Sequence, residues 1–386
     1  MIGAPTLTGS AGSLLAVLKA CLIDGFNSQT ITAFTVSSGI ATVSFTATPP
    51  QYETDQVVQI SGNSGAFAAT INTEFRVSAI TSSSVSFPLA LSDGAYFNAG
   101  MTIKVAPIGY WTQPYGTVGN VSVFQSQLST STKYSFKVDD SIGAYAAING
   151  YSTMWDIQTG ADKFPAMGTY TTSAYWRKAY TASASTYQWV LIGDGKTIFF
   201  GTSPFDNNIL AKIEWNMLGD YVSMIPNDTT NCAVSTLSNN NGGLSAAYTA
   251  NYFFIHTVGT SLPYNILYGA RASNGMTKYP QLGLLGDRFG TSSSETFGIN
   301  GFQYPNFPNN ALELRGNIEL LEYSSTTGTA PVFKRGYLRG AYQVRHNNPL
   351  NCLDKITLPN GNTGVYLRAT DNSNNGCVIF DINGPW

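Results

Sequence analysis

The chain has 386 residues, of which 11% are charged and 13% aromatic, with 20 Lys and Arg against 22 Asp and Glu and two histidines. A net charge of −2 leaves no basic footprint for nucleic acid, and no apolar run reaches the ~20 residues that span a bilayer. So few titratable groups argue against a dense catalytic cluster and for a Ser/Thr/Asn/Gly surface that lies against other protein.

The length predicts two domains or three. Residues 1–28 read as an arm and a helix. Gly3–Gly12 is an extended small-residue lead, Ser13 is placed to cap a helix from Leu14 to about Asp24, and Gly25 ends it. Leu14, Val17, Leu18, Cys21 and Leu22 form an apolar stripe at helical spacing. Two readings follow: a helix docked on its own domain, or one whose Leu14, Val17, Leu18 and Leu22 pack on a neighbouring subunit as assembly contacts. Met1–Ser13 lack Lys and Arg, so the run is read as mature protein made in a cytoplasm, not as a signal peptide.

Residues 29–107 read as a small β-sandwich or barrel domain. Two alternating strands flank Ser37-Ser38-Gly39, and further strands are expected at Gln56–Ser61, Glu74–Ile80, Val85–Leu89 and Met101–Ala106. Residues 108–116, rich in Pro and aromatics, read as a linker. Residues 117–386 read as a larger β-sandwich-like domain, so the fold class is mainly β with a short N-terminal helix.

Within it, strands are expected at Asn120–Gln125 and Lys133–Val138, with short helical turns at Ile148–Ile157 and Asn208–Met217. Gln188–Ile192 and Lys196–Phe200 form the clearest hairpin, with Gly195 expected at positive φ in the turn Gly193-Asp194-Gly195. A second hairpin pairs Gly364–Ala369 with Cys377–Ile382 across Asp371–Gly376.

The search for chemistry returns little. Asp139 and Asp140 are adjacent, so on a strand they would point to opposite faces; they read as a turn after the strand Lys133–Val138. Glu53 and Asp55 read as loop charges. His256 sits in an apolar run and His346 in a loop, and there is no GxSxG elbow or phosphate loop. Cys21, Cys232, Cys352 and Cys377 lack metal-ligand spacing and read as buried free thiols, a Cys352–Cys377 disulfide being poorly supported. The expectation is therefore no enzyme, no catalytic residue, no metal and no cofactor. The dense aromatics from Tyr170 to Trp189 serve as sheet packing or, at Tyr175, Trp176 and Tyr180, as sugar or partner contacts.

One resemblance bears on these segments. The opening Gly3–Phe26 is similar to the start of a family of tailed-bacteriophage and prophage virion proteins. The order of Val57–Gly62, Glu74–Ile80, Tyr134–Asp140, Gly150–Met154, Tyr175–Lys178, Trp189–Gly195 and Phe380–Trp386 resembles that family too. The resemblance lies in framework segments and brings no catalytic motif. It implies a virion protein assembled in the host bacterial cytoplasm: part of a tail, baseplate or neck, or a capsid decoration. Its partners would be other virion proteins and copies of itself, with a host-surface glycan as a further partner of a receptor-binding protein. A glycan-degrading enzyme is the lesser alternative.

Overall fold

The computed structural model describes residues 3–46, 51–165, 173–205, 207–210, 212–236, 267–270, 281–285, 310–312, 314–316, 318–323, 331–344, 350–370 and 375–384. The fold is mainly β, with one short helix near the N-terminus. The chain divides into two units: residues 1–6 with 16–109, and residues 7–15 with 110–386.

In the first unit the long strand Phe26–Ser37 organises a curled sheet. Ile40–Phe45 pairs with one of its sides and Thr102–Val105 with the other, and Ser84–Pro88 and Val57–Ser61 extend the sheet outward. The end strands Glu74–Arg76 and Ala79–Ile80 are consecutive in the chain. Between them, Val77 N–H donates to Gln56 O at 2.9 Å and Ser78 N–H to Ser86 O at 2.8 Å. Inward positions alternate along Ile40–Phe45, Val57–Ser61, Ser84–Pro88 and Thr102–Val105, while a bulge in Phe26–Ser37 sets Ile31 and Phe34 three apart, and Phe34, Val43, Ile60, Phe87 and Ile103 meet in one core. The turn expected at Ser37-Ser38-Gly39 is two residues long, Ser38 (φ 52°) and Gly39 (φ 76°), with Ser37 on the strand opposite Ile40.

The second unit stacks three sheets. The first has the order Trp111–Tyr115, Val121–Ser126, Ser135–Asp139, Tyr145–Tyr151, Ala174–Arg177. The segment 108–116, expected as a linker, thus supplies an edge strand. The second is a nine-stranded sheet running from Trp189–Gly193 through Thr197–Thr202, Glu214–Asp220 and Cys232–Ser235. The third is C-terminal, centred on Asn375–Asp381 paired with Thr363–Thr370. Trp176 of the first sheet stacks on Phe200 of the second at 5.9 Å, while Phe199 and Trp215 meet Phe380 of the third at 4.9 and 4.7 Å. Phe199 and Phe200 point oppositely, so the second sheet is covered on both faces. Every residue of Thr197–Thr202 and Glu214–Asp220 is buried, which is why neither strand reads as a polar–apolar alternation.

Four expectations change. Residues 145–151 and 153–154 are strands rather than helical turns, because Ala146 and Ile148 bury at period two. Glu214–Asp220 is also a strand, leaving a single helical hydrogen bond from Lys212 N–H to Asn208 O ahead of it. The N-terminal helix is α-helical over Ser13–Lys19 and π-helical over Ala20–Asp24, ending at Gly25 with φ 69°. The hairpin at 189–202 forms, but with Leu191 opposite Phe200 and Lys196 inside the turn rather than on the second strand, and Gly195 is not among the positive-φ residues. Asp194 makes this turn instead: its Oδ1 accepts from the N–H of Lys196 and of Thr197 at 2.8 and 2.9 Å.

Space, not φ, selects glycine at position 195, since a Cβ there would lie 3.0 Å from Tyr110 Cδ2. Gly219 is more tightly constrained: its φ is 122° and a Cβ would lie 2.2 Å from the Lys196 carbonyl oxygen. Gly219→Ala should therefore cost roughly 2–3 kcal/mol and Gly195→Ala about 1 kcal/mol or less, because a side chain yields and a paired backbone does not. Thermal unfolding of both variants measures the order; an equal or smaller loss for Gly219→Ala would refute it.

Candidate functional site

The four apolar residues expected as assembly contacts, Leu14, Val17, Leu18 and Leu22, are each at most 1% exposed. These side chains are buried within the chain itself. Ser13 does not cap the helix: its hydroxyl donates to Thr8 O at 2.7 Å. The cap comes from Asp140, whose Oδ2 accepts from Leu14 N–H at 2.8 Å and Leu15 N–H at 3.2 Å. Asp140 also pairs with Lys178, and both side chains are fully buried. Asp139, the last residue of the strand Ser135–Asp139, is half-buried, and its Oδ1 accepts from Ser141 N–H.

The three aromatic candidates separate by burial. Trp176 is core, its indole N–H donating to Ser235 O at 3.0 Å. Tyr180 is exposed and packs its ring 5.2 Å from Phe205. Tyr175 lies on the outer face of the first five-stranded sheet, opposite Ala147. That face also carries Gln125, Lys137, Asp139 and Asn149, placed by the register of Lys137 against Asn149 and Asp139 against Ala147. A short hairpin, Thr153–Met154 with Gly160–Ala161, adjoins it, and Lys137 Nζ donates to Gln158 Oε1 of its loop at 3.1 Å. At the tip Trp155 is 63% exposed, its N–H donating to Thr159 O.

The loop is preformed. Asp156 accepts from Thr159 Oγ1 and from the N–H groups of Gln158 and Thr159 at 2.6–2.7 Å, bonds that hold its carboxyl below the usual carboxylate range. Burial, with Lys137 nearby, lowers the Lys163 ammonium. This face can stack a flat ring on Trp155 and hydrogen-bond its substituents. The sequence reading missed Trp155 and Lys137, whose union depends on sheet register. Tyr170, His256 and His346 lie outside the described residues. Among the described residues, no three His, Cys, Asp or Glu gather as a metal group would need, and all four cysteines are free.

The comparisons with known proteins add little. No family model matches the sequence, and no curated protein matches it. Among solved structures, the phage phi92 endosialidase aligns over 81% of this chain and 70% of its own, with a TM-score of 0.18 and 10% identity. At that score and identity nothing is transferred from it.

The remaining interior charges are structural. Arg335 is held by Tyr221 Oη at 2.7 Å, Thr230, Asp228 and Glu322. Asp194 pairs with Arg339 at 3.2 Å and accepts the two turn N–H groups. Asp220 ties the turn at Thr132 to the nine-stranded sheet, accepting from Thr132 N–H at 2.8 Å and Oγ1 at 2.5 Å. Burial pushes the Asp220 carboxyl up from 3.8 to about 6, outweighing Thr132, Lys196 and Arg339, which lower it. A raised carboxylate pKa means that the folded state keeps its proton where the unfolded state has lost it. Stability from this group is thus full below pH 4 and falls as pH rises from about 4 to 6, by ~3 kcal/mol. Asp220→Asn removes the charge and can still accept from Thr132 N–H, its amide NH2 donating to Thr132 Oγ1 in place of the bond it accepted. Its Tm relative to wild type should rise between pH 4.5 and pH 7.5; a constant difference across that range would remove Asp220 as the cause.

Proposed function

We propose that this chain is a structural component of a tailed-bacteriophage particle, in the tail, baseplate or neck or as a capsid decoration. It acts through contacts with other virion proteins and copies of itself, and not through turnover of a substrate. The resemblance of its framework segments supports this reading. The structural observation that carries it is where the charge lies. Arg177–Glu214, Lys178–Asp140, Arg335–Asp228 and Arg335–Glu322 are ion pairs between buried side chains. In a chain with only 42 charged residues (20 basic and 22 acidic), these pairs take seven charged side chains out of solvent. Charged groups are costly to desolvate at the centre of a contact, whereas neutral polar groups and aromatics are favoured there.

A second reading, as a receptor- or glycan-binding component of the same particle, is favoured by the exposed Trp155 at the tip of a hairpin whose loop Lys137 holds through Gln158. An aromatic at a stiff hairpin tip is suited to stacking on a sugar ring.

For the first reading, gradient-purified particles from an infected or induced culture should contain the chain in constant ratio to the major virion proteins. Its presence only in the lysate, with particles lacking it, would overturn the proposal. For the second, Trp155→Ala should lower particle adsorption to host cells at least tenfold while Tm stays within a degree or two, since the side chain is exposed. Unchanged adsorption would leave the chain a structural part alone. Purified protein incubated with host polysaccharide and peptidoglycan should release no product detectable by mass spectrometry. Release abolished by a single Asp or Glu substitution would instead establish an enzyme.

A further inference from the structure

The pair Asp140–Lys178 is unlike the other ion pairs. Both side chains are wholly buried, in direct contact, and each is held by backbone on its far side. Lys178 Nζ donates to Ser10 O at 2.7 Å, and Asp140 Oδ2 accepts from Leu14 and Leu15 N–H. Gly12 N–H donates to the Asp140 carbonyl at 2.9 Å, and Asp140 N–H to Asn120 O at 2.8 Å, so the carboxyl cannot swing away.

We propose that Lys178 and Asp140 condense into an intramolecular amide that staples the strand end at Asp140 to the segment after Ala174–Arg177.

The reaction needs a neutral amine and a protonated carboxyl. Burial drives both groups that way, raising Asp140 and lowering Lys178 against the opposing pull of each on the other. The Nζ lone pair adds to Asp140 Cγ. Negative charge develops on Oδ2, where the Leu14 and Leu15 N–H groups already point and act as an oxyanion hole. The Cγ–Oδ1 bond then breaks. Oδ1 leaves as water, carrying the carboxyl proton and one proton from Nζ, and the new amide keeps the other. No oxidant, reductant or co-reactant is consumed. Holding both reactants in one dry site replaces a bimolecular step by an intramolecular one. The product N–H can donate to Ser10 O, the acceptor already in place, and the two buried charges disappear. The inference does not depend on the proposed place in a virion.

Intact-mass spectrometry of the full-length protein under denaturing conditions tests it, on a sample that shows cooperative thermal unfolding. The expected mass is about 18 Da, one water, below the sequence mass. Trypsin should then yield peptide 138–163 joined to peptide 178–196, with no cleavage after Lys178. Lys178→Arg should restore the full sequence mass and lower Tm. A cooperatively folded wild-type protein at full sequence mass, cleaved normally after Lys178, would overturn the proposal without recourse to any variant.

Discussion

The larger unit depends on a buried carboxylate. Asp140 follows directly on the strand Ser135–Asp139, yet it turns inward, where solvent cannot reach it. A carboxyl in that position costs several kcal/mol unless its bonds are replaced. Every replacement comes from far along the chain: Leu14 and Leu15 N–H, 126 and 125 residues away, and Lys178, 38 residues away. The same bonds satisfy the first N–H groups of the helix, which Ser13 leaves without a cap. Because Asp140 must be satisfied, residues 7–15 belong to the larger unit although residues 16–109 form another. The short strand Leu7–Thr8, paired with Thr186–Tyr187, reinforces that placement. Gly9 passes so close to Thr181 O that a Cβ there would lie 2.1 Å from it. The Gly/Ala/Ser composition of the lead is thus a condition for threading it against residues 181–183.

The second constraint is a sheet with no wet face. Once both sides of Thr197–Thr202 and Glu214–Asp220 are covered, polar residues on them need partners from other layers. The indole N–H groups show how this is met. Trp176 donates from the first sheet to Ser235 O of the second, and Trp215 from the second to Arg368 O of the third. Each ring contributes a large apolar area and one directed bond, so it fixes the position of one layer against the next as well as the area buried. Arg177 does the same with charge. It lies 5.0 Å from the Phe205 ring and 5.7 Å from Tyr145, and its guanidinium meets Glu214. A lysine could not serve equally there, having no flat face to stack.

These two constraints mark what was legible in the sequence. Hairpins were, because their signals are local: Ser38-Gly39 and the 363–381 pair have their turn residues and alternation within a dozen or so positions. The half-buried strands of the first unit were legible for the same reason. The strand Glu214–Asp220, covered on both faces and lacking a turn signal beside it, was not, since it shows no alternation and its run of mixed residues fits a helical turn as well. Asp194 was read as a turn residue, and the structure agrees, but the glycine beside it was misread. Asp-Gly in a hairpin suggests positive φ, whereas the aspartate's own side chain closes this turn and the glycine makes room for Tyr110. Least legible was the candidate site. Trp176, on its dense aromatic run, looked no different from Tyr175, and one residue of register separates core from surface.

The placement of charge follows from the same physics and connects fold to function. A chain this poor in charge has few ways to keep its own sheets from associating with others. It nevertheless puts five carboxylates, Asp140, Asp228, Glu214, Glu322 and Asp194, into interior ion pairs. Replacing such pairs by apolar residues often costs nothing in stability, so their use argues for fixing geometry rather than for adding stability. A protein that must present a neutral surface to neighbours while keeping its own layers in one register has reason to spend charge in this way. The register between layers is then held in part by buried ion pairs such as Arg177–Glu214, which joins the first sheet to the second. The low charge and the buried pairs are therefore linked: part of what charge the chain has is drawn into the interior, where it fixes one layer against the next.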